Sequence, residues 1–164
     1  LKLFCPDLYV EDIYNINLDD LLGHNICGIL IDLDNTLLPW NSYEVDDRLR
    51  QWIEQCAKKN IKLCIISNNK AKRIQSCSEM LLIPAVTGAY KPRKAAFRKG
   101  LKFLGLDPSQ AAVVGDQLFT DILGAKRMGM YAILVKPISN NEFIWTKIMR
   151  IIERRLLKII IKDS

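Results

Sequence analysis

Short apolar runs alternate with amphipathic stretches along most of this 164-residue chain. Five runs have the length and composition of buried strands: residues 26–31, 61–66, 84–89, 111–114 and 131–135. Four amphipathic stretches between them predict helices: residues 46–59, 71–81, 93–104 and 119–128. Apolar strands that are each followed by a helix are typical of a parallel sheet with helices on both faces. We therefore predict an α/β fold with a three-layer Rossmann-like sheet, in one domain over 1–164 whose core is about 26–136.

A further amphipathic helix is predicted near the end of the chain, over about residues 142–158. Its apolar face consists of Ile144, Ile148, Ile151, Ile152, Leu156 and Ile159, and a basic stripe beside it of Lys147, Arg150, Arg154 and Lys158. One interpretation is that the apolar face packs on the sheet. The other is that the helix rests on an anionic membrane surface, where each basic side chain contributes on the order of 1 kcal/mol. The pattern leaves both open.

Composition excludes several classes of protein. Apolar residues make up 49% of the chain and charged residues 26%, which is close to the globular average. No apolar run reaches the roughly 18 residues that span a bilayer, and no secretory leader is visible. The five cysteines form no C-x-x-C pair, which favours free thiols in a reducing compartment over disulfides or a zinc site. The single His24 excludes chemistry that needs two histidines. We therefore expect a cytoplasmic protein.

The net charge of +6 is unevenly distributed. Residues 1–60 carry 5 basic and 11 acidic side chains, whereas residues 61–106 carry 10 basic and 1 acidic. Such a segment either meets an anion, for example a phosphate, or is a solvated basic face. Nucleic acid is a disfavoured partner, because Phe97 is the single aromatic residue within 91–102 and its spacing places it in the core.

Polar side chains follow four of the predicted strands. They are Asp32, Asp34 and Thr36 after the first strand, Ser67 and Asn68 after the second, Lys91 after the third, and Asp116 and Asp121 after the fourth. Singly, such residues are common turn formers and helix caps. In open α/β sheets, however, ligands bind beyond the carboxyl ends of the strands. Four clusters in order at strand ends therefore indicate one site.

The chemistry of this set points to phosphoryl transfer. Four aspartates in one pocket repel one another unless a cation is present, and oxygen ligands without His or Cys suit Mg²⁺. One carboxylate can attack phosphorus and form an aspartyl-phosphate. A second can protonate the leaving oxygen and later activate water. Ser67, the backbone N–H groups after it and Lys91 can hold the phosphoryl oxygens, over which the transition-state charge is spread.

These residues also carry a family resemblance. The series Asp32-Leu33-Asp34-Asn35-Thr36, Ser67, Lys91-Pro92 and Gly115-Asp116…Asp121 resembles the four motifs of the haloacid dehalogenase superfamily. The strings DLDNTLLPW, ISNN, YKPR and GDQLFTD are similar to subfamily IIIA phosphatases of the YqeG type, a group that includes phosphatidylglycerophosphate phosphatases.

The resemblance implies a role for each motif residue. Asp32 would be the nucleophile and Asp34 the general acid/base, and Lys91 would act with them. A second aspartate implies a phosphatase, since the dehalogenases of the superfamily lack it. Mg²⁺ would be held by Asp32, the backbone carbonyl of Asp34, Asp116 and Asp121, the last either through water or as the partner that orients Lys91. Contacts to the substrate phosphate are expected at Thr36, Ser67, Asn68 and Lys91.

The chain has no room for a lid domain. Residues 37–45 form at most a flap, and the interval between Gly88 and Ala111 holds Lys91 and one helix. In this flap, Trp40 and Tyr43 either contact the substrate or pack the loop. A capless site suits a phosphate on a large molecule, and we expect phosphatidylglycerophosphate, met at the inner membrane face. The alternatives are a soluble metabolite covered by another subunit, a protein or nucleic-acid phosphate, and a binding module without turnover. The oligomeric state stays open.

Overall fold

A computed structural model describes residues 2–139, 151, 153–155 and 158. Its strands are β1 Leu8–Val10, β2 Gly28–Ile31, β3 Lys62–Ile66, β4 Ala85–Val86, β5 Ala111–Gly115 and β6 Tyr131–Val135. Its helices are α1 Leu18–Gly23, α2 Asp47–Lys58, α3 Ala71–Leu81, α4 Lys94–Leu104 and α5 Leu123–Met128. The strands form one parallel sheet in the order β1-β6-β5-β2-β3-β4. The predicted α/β class with a Rossmann-like sheet is confirmed.

Helices cover both faces of the sheet, which explains why its strands are apolar throughout. On one face, α2 and α3 bury Trp52 and Ile74 in a cluster that contains Ile31. On the other face, α4 buries Phe97 in a cluster that contains Leu30. Leu30 and Ile31 are consecutive in β2, so their side chains point to opposite faces, as the pleat of a strand requires.

The helix boundaries follow from local chemistry. Asp46 caps α2, where its carboxylate accepts the N–H of Leu49 at 2.8 Å. Gly105 ends α4 in the left-handed conformation, with φ +67°, which a glycine adopts without steric cost. Neither interval considered above contains a lid domain. The flap 37–45 contains neither a helix nor a strand, and the interval between Gly88 and Ala111 holds α4.

Several predicted boundaries differ from the structure; the first predicted strand, for example, begins at Gly28 and not at residue 26. The third strand is confined to Ala85–Val86, because it lies at the sheet edge and pairs on one side with β3. The helix predicted over 93–104 begins at Lys94, with Arg93 as its N-cap. The helix predicted over 119–128 begins with a π turn, Leu118–Ile122, before α5.

The first 25 residues contain elements that the pattern did not reveal. β1 pairs in parallel with β6 and becomes the sixth strand at that edge. Asp7 anchors this edge, because its Oδ2 accepts the N–H of Ala132 at 2.8 Å. α1 follows, and Asn17 caps it by accepting from the backbone N–H groups of Asp19 and Asp20.

The helix predicted over 142–158 lies mostly outside the described residues. Of its described members, Ile151 is 56% exposed, although the pattern placed it on the apolar face. Glu153 is buried and accepts the backbone N–H of Phe119 at 3.2 Å. Within the described part of the chain, every helix is too short or too polar to cross a membrane.

Candidate active site

Three buried carboxylates and one buried ammonium meet at the carboxyl ends of β2 and β5. Nζ of Lys91 donates to Oδ1 of Asp32 at 2.7 Å and to Oδ1 of Asp121 at 2.5 Å. Asp32, Asp116 and Asp121 each offer an oxygen that lies within 4.8 Å of the other two. All four side chains belong to the buried residues. Three of the four predicted motifs therefore converge on one point.

The sheet brings these residues together. β2 and β5 are neighbours, and the N–H of Asp32 extends their ladder by donating to the carbonyl of Val114 at 2.9 Å. Asp32 and Asp116 thus directly follow the ends of two adjacent strands. Gly115 makes room for Asp121, since a Cβ at this position would lie 2.2 Å from the carboxyl carbon of Asp121. Glycine is required at position 115 so that Asp121 can pack against the end of β5.

Burial and charge oppose each other in this cluster. Burial raises the pKa of Asp32 well above its ordinary value; Lys91 lowers that pKa, while Asp121 and Asp116 raise it further. Burial alone would lower the pKa of Lys91, but the carboxylates of Asp121 and Asp32 raise it above its usual range. Lys91 is therefore a permanent ammonium that neutralises part of the acidic cluster.

The cluster has the donor set of a hard divalent cation. Its three carboxylates supply oxygen ligands only, and one ammonium leaves an excess of negative charge among them. The hydroxyl of Thr36 donates to Oδ1 of Asp116 at 3.4 Å, which orients this carboxylate. A cation that binds oxygen would fit at Asp32, Asp116 and Asp121.

Asp34 lies apart from this cluster. Its Oδ1 accepts from Nη2 of Arg73 at 2.7 Å, from Nε of Arg73 at 3.0 Å and from the N–H of Asn41 at 3.1 Å. Its Oδ2 accepts from Nδ2 of Asn69 at 2.6 Å. The ring of Tyr43 lies 4.8 Å from Cζ of Arg73. The metal contact expected of Asp34 involves its backbone carbonyl, and that contact stays a prediction.

Two other predicted phosphate contacts, Ser67 and Asn68, follow the end of β3. Ser67 is buried at the end of β3, where its Oγ accepts the N–H of Asn69 at 3.2 Å. Asn68 pairs with the backbone of Lys91: it accepts the Lys91 N–H at 2.6 Å and donates to the Lys91 carbonyl at 3.0 Å. The side chain of Asn68 thus fixes the loop that carries Lys91, and its direct contact to phosphate stays a prediction.

Sequence reasoning missed Arg73 and Asn69, which hold Asp34. Both lie beside a predicted motif: Asn69 follows Ser67-Asn68, and Arg73 is in the first turn of α3. The apolar spacing of this helix offers one signal, since Arg73 precedes Ile74 on the face that the helix buries. A basic residue at such a position requires a buried anion.

Comparisons with known proteins identify the family of this chain. A family profile described as haloacid dehalogenase-like hydrolase matches residues 29–90, and a HAD-hydrolase-like profile matches residues 89–137. "Probable phosphatase YqeG" of Bacillus subtilis is 39% identical over 156 residues, which cover 95% of this chain and 91% of the relative. The chain therefore belongs to the haloacid dehalogenase superfamily, as a phosphatase of the YqeG type.

More distant relatives are phosphatidylglycerophosphate phosphatases. The chloroplastic and mitochondrial enzyme of Arabidopsis thaliana is 29% identical over 93% of this chain, which spans about half (47%) of that relative. The mitochondrial phosphatidylglycerophosphatase of Saccharomyces cerevisiae is 28% identical over 82% of this chain and 81% of its own length. Among solved structures, an uncharacterised protein of Listeria monocytogenes superposes with a TM-score of 0.56 at 19% identity, over 73% of this chain and 86% of its own. This last likeness concerns the fold.

Proposed function

We propose that this phosphatase is a Mg²⁺-dependent phosphomonoesterase that acts through an aspartyl-phosphate, with phosphatidylglycerophosphate as its substrate. The observation that carries the chemistry is the contact of Lys91 with both Asp32 and Asp121, next to Asp116. It supplies a nucleophilic carboxylate, a fixed positive charge and a cation site within one buried cluster.

In the first half of the reaction, Asp32 attacks the phosphorus of the ester. Lys91 holds Oδ1 of Asp32, and the attack uses Oδ2. The bond between phosphorus and the leaving oxygen breaks, and Asp34 protonates this oxygen. Lys91, the hydroxyl of Ser67 and the backbone N–H groups after it stabilise the phosphoryl oxygens. Thr36 orients the carboxylate of Asp116, and its contact to the phosphate stays a prediction.

In the second half, water hydrolyses the aspartyl-phosphate. Asp34, now a carboxylate, takes a proton from the water, whose oxygen attacks phosphorus, and the bond to Asp32 breaks with release of phosphate. Asp32, Asp116 and Asp121, with the backbone carbonyl of Asp34, would hold Mg²⁺. When bound, this ion neutralises charge between the carboxylates and the phosphate.

The expected substrate is supported by the shape of the site edge and by the relatives. Among the described residues, neither the flap nor the interval between Gly88 and Ala111 forms a lid domain over the site. Two of the relatives above are named as phosphatases of phosphatidylglycerophosphate. A phosphate on a lipid headgroup can reach an uncovered site while the acyl chains stay in the membrane.

A basic face on α4 favours an anionic membrane, and its first residues, Arg93 and Lys94, closely follow Lys91 in the chain. Its cations are the exposed residues Arg93, Lys94, Arg98, Lys99 and Lys102 of α4 and its N-cap. None of the five forms an ion pair with a described residue. Tyr90 and Phe103, which are 66% and 63% exposed, flank them. Phe97 is fully buried, so the face lacks the interleaved stacking positions of a nucleic-acid surface. The protein would thus work from the cytoplasm at the inner membrane face.

Hydrolysis of dispersed phosphatidylglycerophosphate tests the substrate. We expect a higher kcat/KM for this lipid than for glycerol 3-phosphate, measured as phosphate release with Mg²⁺. If glycerol 3-phosphate or another soluble ester is hydrolysed as efficiently, the lipid assignment is wrong and a soluble metabolite is the substrate. The phosphatase chemistry would then still stand.

Sedimentation with liposomes tests the membrane contact. We expect binding to vesicles of phosphatidylglycerol and weak binding to vesicles of phosphatidylcholine, with the difference reduced at high salt. Arg98→Glu/Lys102→Glu should lower the binding. The matched control is Arg50→Glu/Lys58→Glu, two reversals of exposed residues on α2. Equal losses in both double variants, or no preference for the anionic vesicles, would contradict a specific basic face.

A further inference from the structure

Arg73 occupies a position that folding stability alone does not explain. It is buried, with 6% of its surface exposed, in the first turn of α3. Two of its nitrogens, Nε and Nη2, donate to Asp34. The third, Nη1, is buried and has no hydrogen-bond partner of good geometry among the described residues. Since burying a guanidinium is costly and an incompletely paired one more so, an apolar side chain would suit the fold better.

The partners of Asp34 fix its carboxylate from three directions. Arg73 approaches from α3, Asn69 from the loop after β3, and the N–H of Asn41 from the flap. Asn69 is in turn tied to Ser67 through its own N–H. The carboxylate is thereby locked in one orientation relative to the loop that carries Ser67. Such preorganisation matters for a group that transfers a proton to one particular oxygen.

We propose that Arg73 is a positioning residue, which holds the carboxyl group of Asp34 toward the leaving oxygen of the substrate. The proposal rests on the proposed role of Asp34 as general acid. The hydrogen bonds of the Arg73 side chain go to Asp34. None of them goes to Asp32, Lys91, Asp116 or Asp121. The guanidinium of Arg73 also lies against the ring of Tyr43, so the double variant described below tests whether its effect on the reaction passes through Asp34.

The proposal separates two kinds of substrate. p-Nitrophenolate leaves without a proton, whereas the alkoxide of glycerol 3-phosphate needs one. Loss of a positioning residue for the acid should therefore lower kcat/KM for glycerol 3-phosphate and spare p-nitrophenyl phosphate. A residue that merely supports the fold would lower both equally. kcat/KM is the relevant quantity, because it reports the step in which the leaving group departs.

The experiment compares Arg73→Gln, Arg73→Lys and Asp34→Asn with the unaltered protein. For glycerol 3-phosphate, Asp34→Asn should cost about 10²- to 10⁴-fold, and Arg73→Gln about 10- to 10²-fold through misplacement of the acid. Arg73→Lys should fall between Arg73→Gln and the unaltered protein, since an ammonium keeps the charge and loses the two-nitrogen contact. For p-nitrophenyl phosphate, each should cost less than about threefold, which also shows that the variants fold. Lys72→Gln, at an exposed neighbouring position, should change neither substrate.

A double variant completes the test. If Arg73 acts through Asp34, Asp34→Asn/Arg73→Gln should have nearly the same kcat/KM for glycerol 3-phosphate as Asp34→Asn alone. The proposal is overturned if Arg73→Gln affects both substrates equally, if it raises the rate, or if the two losses multiply. Should Asp34→Asn itself affect both substrates equally, the proposed acid fails and Arg73 with it. If Asp34→Asn spares p-nitrophenyl phosphate but Arg73→Gln affects both substrates, the role proposed for Arg73 is wrong and that of Asp34 stands.

Discussion

The ammonium of Lys91 lies 2.7 Å from Oδ1 of Asp32, and both side chains are buried. The two residues are 59 positions apart in the chain, so the contact exists only when the loop after β4 folds over the end of β2. Asn68 fixes this loop by its two hydrogen bonds to the backbone of Lys91. The pair therefore links the nucleophile of the proposed reaction to the stability of the fold.

Removal of this ammonium should destabilise the protein. Lys91→Met leaves the buried carboxylates of Asp32 and Asp121 without their cation, a loss of about 3–5 kcal/mol for a broken buried pair. Urea unfolding would measure it, with Lys94→Met at an exposed position as control. Mg²⁺ should recover part of the loss, since it compensates the same carboxylates. A variant as stable as the unaltered protein would show that Lys91 does not neutralise the cluster.

Addition of Mg²⁺ should raise the unfolding temperature. A ligand that binds the folded state alone contributes about 2.7 kcal/mol at 100 times its Kd. Asp116→Asn should weaken this effect and raise the Mg²⁺ concentration needed for activity, because it removes one of the three clustered carboxylates. An unchanged Mg²⁺ titration in this variant would reject Asp116 as a ligand.

The stabilisation by Mg²⁺ should depend on pH. Burial raises the pKa of Asp32, so the folded, metal-free protein holds this proton more tightly than the unfolded chain. Its contribution to stability is therefore present at low pH and is lost as the pH rises through the raised pKa. Mg²⁺ needs the carboxylate and competes with the proton, so the shift in unfolding temperature should grow as the pH rises through this raised pKa. A shift independent of pH would contradict the raised pKa.

Gly115 should tolerate no side chain. Gly115→Ala places a Cβ 2.2 Å from the carboxyl carbon of Asp121, and overpacking of this kind costs about 1–3 kcal/mol. Because Asp121 holds Lys91, activity should fall together with stability. The control is Gly23→Ala, whose Cβ would meet no atom within 4 Å. Equal behaviour of the two variants in urea unfolding and phosphate release would contradict the close packing of Asp121.

The sheet and its helices could be predicted because both faces are covered. β2, β3, β5 and β6 are apolar at nearly every position, and the amphipathic helices α2, α3 and α4 bury one side each. β1 could not be predicted in the same way: it has three residues, lies at the edge and is at most partly buried. Its pairing with β6 depends on a contact between distant segments, such as that of Asp7 with Ala132, for which a local pattern carries no signal.

The candidate site was predictable to the extent that its residues follow strands. Asp32, Asp116, Asp121 and Lys91 were expected at one edge of the sheet, and the structure brings them together. The contact of Arg73 with Asp34 was not foreseen, because a basic residue in a helix is usually exposed. The packing of α3 against the sheet shows that this position faces inward.

Phosphate release from p-nitrophenyl phosphate by the unaltered protein and by Asp32→Asn, each with EDTA and then with excess Mg²⁺, tests the central claim most directly. An amide cannot form the acyl-phosphate, so Asp32→Asn should be inactive in both conditions while it stays folded by circular dichroism. The unaltered protein should be inactive in EDTA and active once Mg²⁺ is restored. Turnover by Asp32→Asn, or undiminished turnover of the unaltered protein in EDTA, would contradict a Mg²⁺-dependent phosphatase that uses Asp32 as its nucleophile.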